Sequence, residues 1–357
     1  MRYEHITAGK KNQPPALSGG ISVLVPAYNE AASVADTIRS LHNQTIPIDE
    51  IIVIDDFSSD GTGDVARALG VTVVVPPRNT GSKAGAQNFG LQFVATELTM
   101  AIDADTTLAP DAIEKLLPAF ADPRVAAACG FVLPRHVRTL WERGRYVEYL
   151  FAFSFYKPIQ DFYTKPLISS GCFSLYRTAV LKKNGGWAMR TPAEDMDLTW
   201  TYYQQGYRVR FLPTAVSYPI EPHNFEFMRK QLKRWSHGFI QNVLLHWHGI
   251  RNIPYLNYTV TVALWDAGIA SLAYLILLPL LALIFRNPLF LLGYVIDIPA
   301  VIVPTLGIAI KRREVCRLLL SLPAFFVVRA VNGLFMLEAL WTELILKRRF
   351  DVYEKGH

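Results

Sequence analysis

The run Leu98-Thr99-Met100-Ala101-Ile102-Asp103-Ala104-Asp105-Thr106 joins five apolar or small residues to two carboxylates spaced i, i+2. This is the pattern of a buried strand that delivers acids to the edge of a sheet. Such a pair can hold a hard divalent cation, which in turn neutralises a diphosphate. A D-x-D triplet alone is common in loops, so its weight comes from the strand before it. The same alternation repeats upstream. Apolar runs at 21–25, 50–54 and 71–75 read as strands. Helical spacing at 31–42, 64–69, 82–94 and 111–120 separates them, with Pro110 opening the last helix. Strands and helices at this interval imply a mostly parallel α/β sheet with helices on both faces. Ligands of such sheets sit beyond the carboxyl ends of the strands, where Asp55, Asp56, Asp103 and Asp105 all fall.

The chain has 357 residues, of which 18% are charged, fewer than the roughly 25% of a typical soluble protein. The deficit lies in the last third. Apolar runs occupy 256–285, 288–310 and 315–346, the first two carrying one charge each, Asp266 and Asp297. A helix of the first run's length reaches about 45 Å, enough to cross a hydrocarbon core of about 30 Å. The third run is interrupted by Arg317, Arg329, Glu338 and Glu343. Charges inside such runs are costly unless paired or near a headgroup layer, and Arg329 is available to pair with Asp266 or Asp297. Lys311-Arg312-Arg313 and Lys347-Arg348-Arg349 follow apolar runs, so membrane flanks explain the net charge of +6 better than nucleic-acid binding does. Residues 1–20 are polar and are expected to form a mobile arm without signal-peptide character. These features predict a multi-pass protein of the cell (inner) membrane with its N-terminal domain cytoplasmic. The positive-inside bias conflicts with a third full span, because that span would place Lys347-Arg348-Arg349 outside; the ample apolar length favours three spans. Cys129, Cys172 and Cys316 lack paired spacing, which excludes a disulfide scaffold and a structural zinc site.

Further clusters carry chemistry. Val53-Ile54-Asp55-Asp56-Phe57-Ser58-Ser59-Asp60-Gly61-Thr62 delivers two carboxylates and a turn, able either to bind a base and ribose or to cap the next helix. Lys83-Ala84-Gly85-Ala86-Gln87-Asn88 opens a helix with small residues that admit a phosphate or sugar, or that simply pack closely. Ala193-Glu194-Asp195-Met196-Asp197 sets acids among apolar neighbours, as a general base or as an exposed helix N-terminus. Gln231-Leu232-Lys233-Arg234-Trp235 lies on a basic amphipathic stretch of membrane-surface type.

The order of these clusters, with 35 residues between Asp195 and Gln231, resembles the family 2 inverting glycosyltransferases. It resembles most the membrane-integrated branch containing cellulose, chitin, hyaluronan and poly-N-acetylglucosamine synthases. Val25-Pro26-Ala27-Tyr28-Asn29-Glu30 is similar to that family's opening strand and turn. The resemblance implies a GT-A nucleotide-diphospho-sugar transferase fold (Rossmann-like, mostly parallel) over 21–235. An interfacial amphipathic segment would follow at 236–255, a membrane domain at 256–346 and a basic tail at 347–357. It implies that Asp56, and less directly Asp55, meets the uracil of a UDP-sugar beside Ala27, Asn29 and Glu30. Lys83, Asp103 and Arg234 would serve the diphosphate and donor sugar, and Asp105 would ligate Mg²⁺ or Mn²⁺. Asp195 matches the base that takes the acceptor proton. Glu194, Gly171, Cys172, Gln231 and Trp235 would line the acceptor site. Ala193 departs from the family's usual Thr. The implied partners are a UDP-sugar, a saccharide or lipid-linked acceptor and the bilayer. Two or three spans hardly enclose a polysaccharide, so several protomers would assemble, or the acceptor is a lipid, a short glycan or a protein. Transfer to polyprenyl phosphate and a non-catalytic nucleotide-sugar sensor are the alternatives.

Overall fold

The computed structural model describes residues 19–350; the expected arm over 1–18 and the tail over 351–357 lie outside the described residues, as does the side chain of Asp297. The chain runs β1 (Ile21–Ala27), α1 (Val34–His42), β2 (Glu50–Asp55), α2 (Thr62–Ala68), β3 (Thr72–Val74), α3 (Lys83–Leu91), β4 (Leu98–Ile102), β5 (Thr107–Leu108) and α4 (Ala112–Leu116). It continues through β6 (Val125–Val132), α5 (Leu140–Phe151), α6 (Lys157–Phe162), β7 (Phe173–Arg177), α7 (Thr178–Lys183), α8 (Glu194–Gln204), β8 (Arg208–Tyr218) and α9 (Phe225–Ile250). Eight strands form one sheet in the order β3-β2-β1-β4-β7-β6-β8-β5. β1 to β4 are parallel, β7 is antiparallel to both β4 and β6, β8 is parallel to β6, and β5 is antiparallel to β8.

Alternate residues of the central strands enter different cores, as the two-residue period of a strand requires. Leu24, Ile52, Ile54 and Ala101 pack with α3 and α8 residues such as Ala84 and Trp200. Val23, Val25, Val53, Met100 and Ile102 pack with Val34, Ile38 and Leu41 of α1 and with Ile113 of α4. Both layers are therefore built from one set of strands, and cutting Leu24 back to Ala would cost about 2–5 kcal/mol. The helix expected over 111–120 changes character at Leu117, where a tighter turn runs to Ala121. Pro118 lacks the amide that the α-helical ladder needs there.

The expected boundary at 235/236 falls inside a continuous helix. α9 runs 26 residues, and the part read as interfacial buries Ser236, His237, Phe239, Ile240, Gln241, Asn242 and His246. Its Gly238 makes this possible: a Cβ there would stand 2.7 Å from Ala193 Cβ.

Among the described residues, three helices long and apolar enough to cross a membrane follow, Leu256–Ile284, Pro288–Lys311 and Val315–Ile345. They differ in how they meet the domain. None of the most apolar stretch of the first is buried, against 33% for the third. The third apolar helix lies along α5 and α9. Tyr146 Oη donates to Glu314 Oε2 at 3.1 Å, and Gly144 leaves room for Ala324 and Val328. Lys233 pairs with Glu338 at 2.6 Å, and His237 Nδ1 with Glu343 Oε1 at 2.8 Å. Gln241 donates to Glu343 and to the Phe350 carbonyl, both at 2.9 Å. Arg329 pairs with Asp266 of the first apolar helix at 2.9 Å, one of the two partners that its position in the sequence allowed.

Candidate active site

The ends of β1 and β2 leave the sheet together, Ala27 opposite Asp55. The two turns beyond them are tied to each other. Asn29, at φ 54°, accepts from Ser59 N at 2.9 Å, and its own amide donates to Ser58 Oγ at 3.0 Å. Glu30 N donates to Thr62 Oγ1 at 2.7 Å, and Ala31 N to Asp60 Oδ2 at 2.9 Å. Ser58, Ser59 and Asp60 thus serve the opposite turn, and the N-cap of α2 is Gly61, whose φ of 87° favours glycine. Asp55 is half-buried and accepts from Ser58 N at 3.0 Å. Asp56 is buried and accepts from Thr80 N at 2.8 Å and Thr80 Oγ1 at 2.9 Å. Burial pushes its carboxyl above the usual aspartate range despite those bonds. Asp56 thereby shapes the loop leading into α3, while Asp55 has the more open carboxylate.

The second group forms where β4 meets β7. Their antiparallel pairing sets Ile102 opposite Phe173, so the segment entering β7 lies against the D-x-D turn, and Asp103 N donates to Cys172 O at 3.4 Å. Lys83, first residue of α3, donates to Gly171 O at 3.0 Å, pairs with Asp103, and lies 3.9 Å from Glu194. Asp195 sits in the first turn of α8. Its Oδ2 accepts from Gly171 N at 2.7 Å and its Oδ1 from Met196 N at 2.9 Å. Behind it, Thr199 Oγ1 donates to Asp195 O at 2.7 Å and accepts from Ser169 N at 3.0 Å. Burial raises the carboxyls of both Glu194 and Asp195, with Lys83 and Arg234 pulling the other way. Burial also pushes the Cys172 thiol well above its ordinary value, so that side chain is neutral.

Lys83, Asp103, Gly171, Cys172, Glu194 and Asp195 therefore converge, from stretches far apart in sequence. Arg234 joins them through its field on both acids. Trp235 is 37% exposed on α9, and Gln231 points inward, its Oε1 accepting from Arg145 Nη2 at 2.5 Å. Arg145 and Glu221, both buried, belong to this region without having been singled out in the sequence. The Thr139-x-x-Glu142 capping box announces the start of α5, but no local pattern marks Arg145 or Glu221.

Asp105 follows Asp103 at the same strand end; its Oδ1 accepts from Thr106 Oγ1 at 3.1 Å, and its carbonyl accepts from Arg135 at 2.6 Å. Among the described residues no group of three His, Cys, Asp or Glu side chains could hold a metal by themselves. The donor set instead fits Mg²⁺ or Mn²⁺ shared with a diphosphate, since such ions take one or two carboxylates and complete their shell with phosphate and water.

Residues 22–185 match the model of Glycosyl transferase family 2. The chain is 30% identical over 224 residues to a poly-beta-1,6-N-acetyl-D-glucosamine synthase of Staphylococcus epidermidis, and 30% over 230 residues to the probable glycosyltransferase YdaM of Bacillus subtilis. Each match covers 61% of this chain and 54% of the relative, so the chain spans about half the length of the curated relatives it matches. The fold is shared with the mannosyltransferase PcManGT from Pyrobaculum calidifontis, solved with GDP-Man and Mn²⁺, at a TM-score of 0.54 and 20% identity over 92% of this chain and 91% of that one. With its GT-A sheet, its D-x-D strand end and this family match, the chain carries a family 2 glycosyl transferase domain.

Proposed function

We propose that this protein is a membrane-integrated, metal-dependent inverting hexosyltransferase. It moves a sugar from a UDP-sugar to a saccharide hydroxyl and gives a β-linked product at the membrane. One observation carries the reading: Asp195 is a desolvated carboxylate whose two oxygens are aimed by the amides of Gly171 and Met196 beside Lys83 and Asp103. Its raised pKa makes it a better proton acceptor than a solvated aspartate. Asp195 takes the acceptor proton while the acceptor oxygen attacks the anomeric carbon from the face opposite the departing diphosphate. A single displacement with one base and no covalent intermediate inverts the configuration, so an α-linked donor yields a β-linkage.

Lys83 and Arg234 supply positive charge to the diphosphate. Asp105, with Asp103 beside it, would hold the Mg²⁺ or Mn²⁺, which neutralises phosphate charge when bound. The turns at Ala27–Glu30 and Asp55–Asp56 receive the nucleotide, and the open face of Trp235 offers flat apolar area to an acceptor sugar. In this reading the first two apolar helices cross the cell membrane and hold the domain at its cytoplasmic face. The likeness to a poly-beta-1,6-N-acetyl-D-glucosamine synthase makes UDP-N-acetylglucosamine the first donor to try and a polysaccharide the product to look for.

The test is UDP release by the detergent-purified protein across a panel of UDP-sugars, with GDP-mannose included and with Mn²⁺, Mg²⁺ or EDTA. Release with one donor, lost with EDTA and in Asp195→Asn, is expected. Undiminished release in Asp195→Asn overturns the assignment of the base, and release with GDP-mannose alone overturns the donor.

A further inference from the structure

α5 passes behind the acceptor side of the site, and Arg145 on it is 0% exposed. Its Nη2 donates to Gln231 Oε1 at 2.5 Å and its Nη1 to Glu148 Oε2 at 2.6 Å. Its Nε lies 3.6 Å from Glu221 Oε2, and Glu221 Oε1 accepts from Tyr149 Oη at 2.9 Å. The guanidinium carbon sits 4.4 Å from the centroid of the Trp235 ring. Taking an arginine fully out of water is expensive, and this geometry gives a reason for keeping it. A planar, donor-only fork fixes the Gln231 oxygen inward and stacks on the indole at the same time, which a lysine cannot do. The donor side of the site is built on β2, α3 and β4, whereas the partners of Arg145 lie on α5, on α9 and in the segment between β8 and α9.

We propose that Arg145 is a positioning residue of the acceptor platform, holding Trp235 and Gln231 from behind so that the indole meets the acceptor sugar in one orientation. The proposal rests on the glycosyl-transfer reading above. Losing Arg145 should therefore separate transfer to an acceptor from cleavage of the donor by water.

The full chain is labelled with 5-fluorotryptophan, and the Trp235 fluorine resonance is assigned by Trp235→Phe. Arg145→Lys keeps the buried charge but loses the fork. Because it can still unfold the region, the double variant Arg145→Met with Glu221→Met removes the two fully buried charges and leaves only Glu148, whose side chain is 28% exposed and reaches water. Activity is read with UDP-N-acetylglucosamine and a β-1,6-linked N-acetylglucosamine tetramer as acceptor. In both variants the kcat/KM for the tetramer should fall about tenfold or more. UDP release to water should stay within about threefold of wild type, and the Trp235 resonance should shift or broaden. An unchanged Trp235 resonance in folded variants overturns the proposal, as does a proportional fall of both activities. If the wild-type protein cleaves no donor, the glycosyl-transfer reading falls, and the Trp235 resonance still decides whether Arg145 positions that ring.

Discussion

Gly171 is where a single methyl group should do most damage to the chemistry and least to the fold. A Cβ at this position would stand 2.7 Å from Asp195 Oδ2, 3.2 Å from Asp195 Cγ and 3.3 Å from Lys83 Nζ. Ordinary van der Waals contact begins at 3.4 Å, so the carboxylate of Gly171→Ala has to retreat by about 0.7 Å from its packed position. That retreat stretches the 2.7 Å bond from Gly171 N to Asp195 Oδ2 to as much as about 3.4 Å, past the usual N–H···O distances and into the weak limit of a hydrogen bond. One of the two amides that aim the base then holds it only weakly. Misplacing a reacting group by about 1 Å costs up to about 10²-fold, so kcat should fall about 10- to 100-fold. Stability should barely move. Gly171 lies outside the left-handed region, and a tolerated Gly-to-Ala change stiffens the unfolded chain by about 0.4–1 kcal/mol, which offsets part of the local strain. The assay is UDP release alongside thermal unfolding, with Gly307→Ala as the control because nothing beyond its own stretch of helix lies within 4 Å of its added Cβ. Wild-type kcat in Gly171→Ala would refute the assignment of Asp195 as an aimed base. A large drop in Tm matching the lost activity would refute the claim that the effect is local.

The raised Asp195 carboxyl must be ionised to act, so kcat should rise with pH through a value above the ordinary 3.8, and a pH–rate profile locates that limb. Stability runs the other way at Glu221, which burial lifts from 4.5 to about 6. A carboxyl raised in the folded state contributes stability that is full below its unfolded value and is lost as pH rises through about 6, here about 2 kcal/mol; Glu221→Gln should flatten the Tm-against-pH curve in that window. Gly144→Leu would drive a side chain into Ala324 and Val328, costing about 1–3 kcal/mol, visible as a lower Tm in detergent. A reporter fused after the last residue should lie on the side of the catalytic domain, so a fused green fluorescent protein should fluoresce and a fused alkaline phosphatase should stay inactive.

Local pattern made the first half of the sheet readable. β1, β2 and β4 are short runs of apolar residues ending in turns or acids, and α1 shows its buried Val34, Ile38 and Leu41 at helical spacing. The acids at the strand ends were legible for the same reason, because the strand fixes where its last residue points. Resemblance, more than periodicity, made Asp195 stand out, since its surroundings come from Gly171, Thr199 and Lys83, which are remote in sequence. Asp56 shows the limit of that approach: its position matches a nucleotide contact, yet both of its oxygens accept from Thr80, a partner 24 residues away that no local pattern announces. Arg145 stayed invisible for a related reason. An arginine in a helix is ordinarily a surface residue, and only the approach of α9 turns it into a buried clamp.

The third apolar helix makes the same point at larger scale. Length and hydropathy describe what a segment can do in lipid, and by those measures 315–346 is a span. Packing describes what it does against its neighbours, and contacts from Glu314 to Glu343 tie it to Tyr146, Lys233 and His237. A helix that crossed the bilayer over that length would carry α5 and α9 into the hydrocarbon with it. Those helices hold Glu142 and Arg143 and the Glu226–Arg229–Lys230 ion-pair cluster, and charged groups carried to the bilayer centre cost about 2.5–3.5 kcal/mol each on insertion scales. Lying along the domain, the helix leaves Leu319, Leu320, Val327 and Leu334 exposed on its outer face. Lys347-Arg348-Arg349 then stays beside Phe350, whose carbonyl accepts from Gln241 of α9. The positive-inside conflict arises when every long apolar run is taken as a crossing; the packing of the third helix along the domain offers an arrangement with two crossings and no such conflict, and the fused reporter decides between the two.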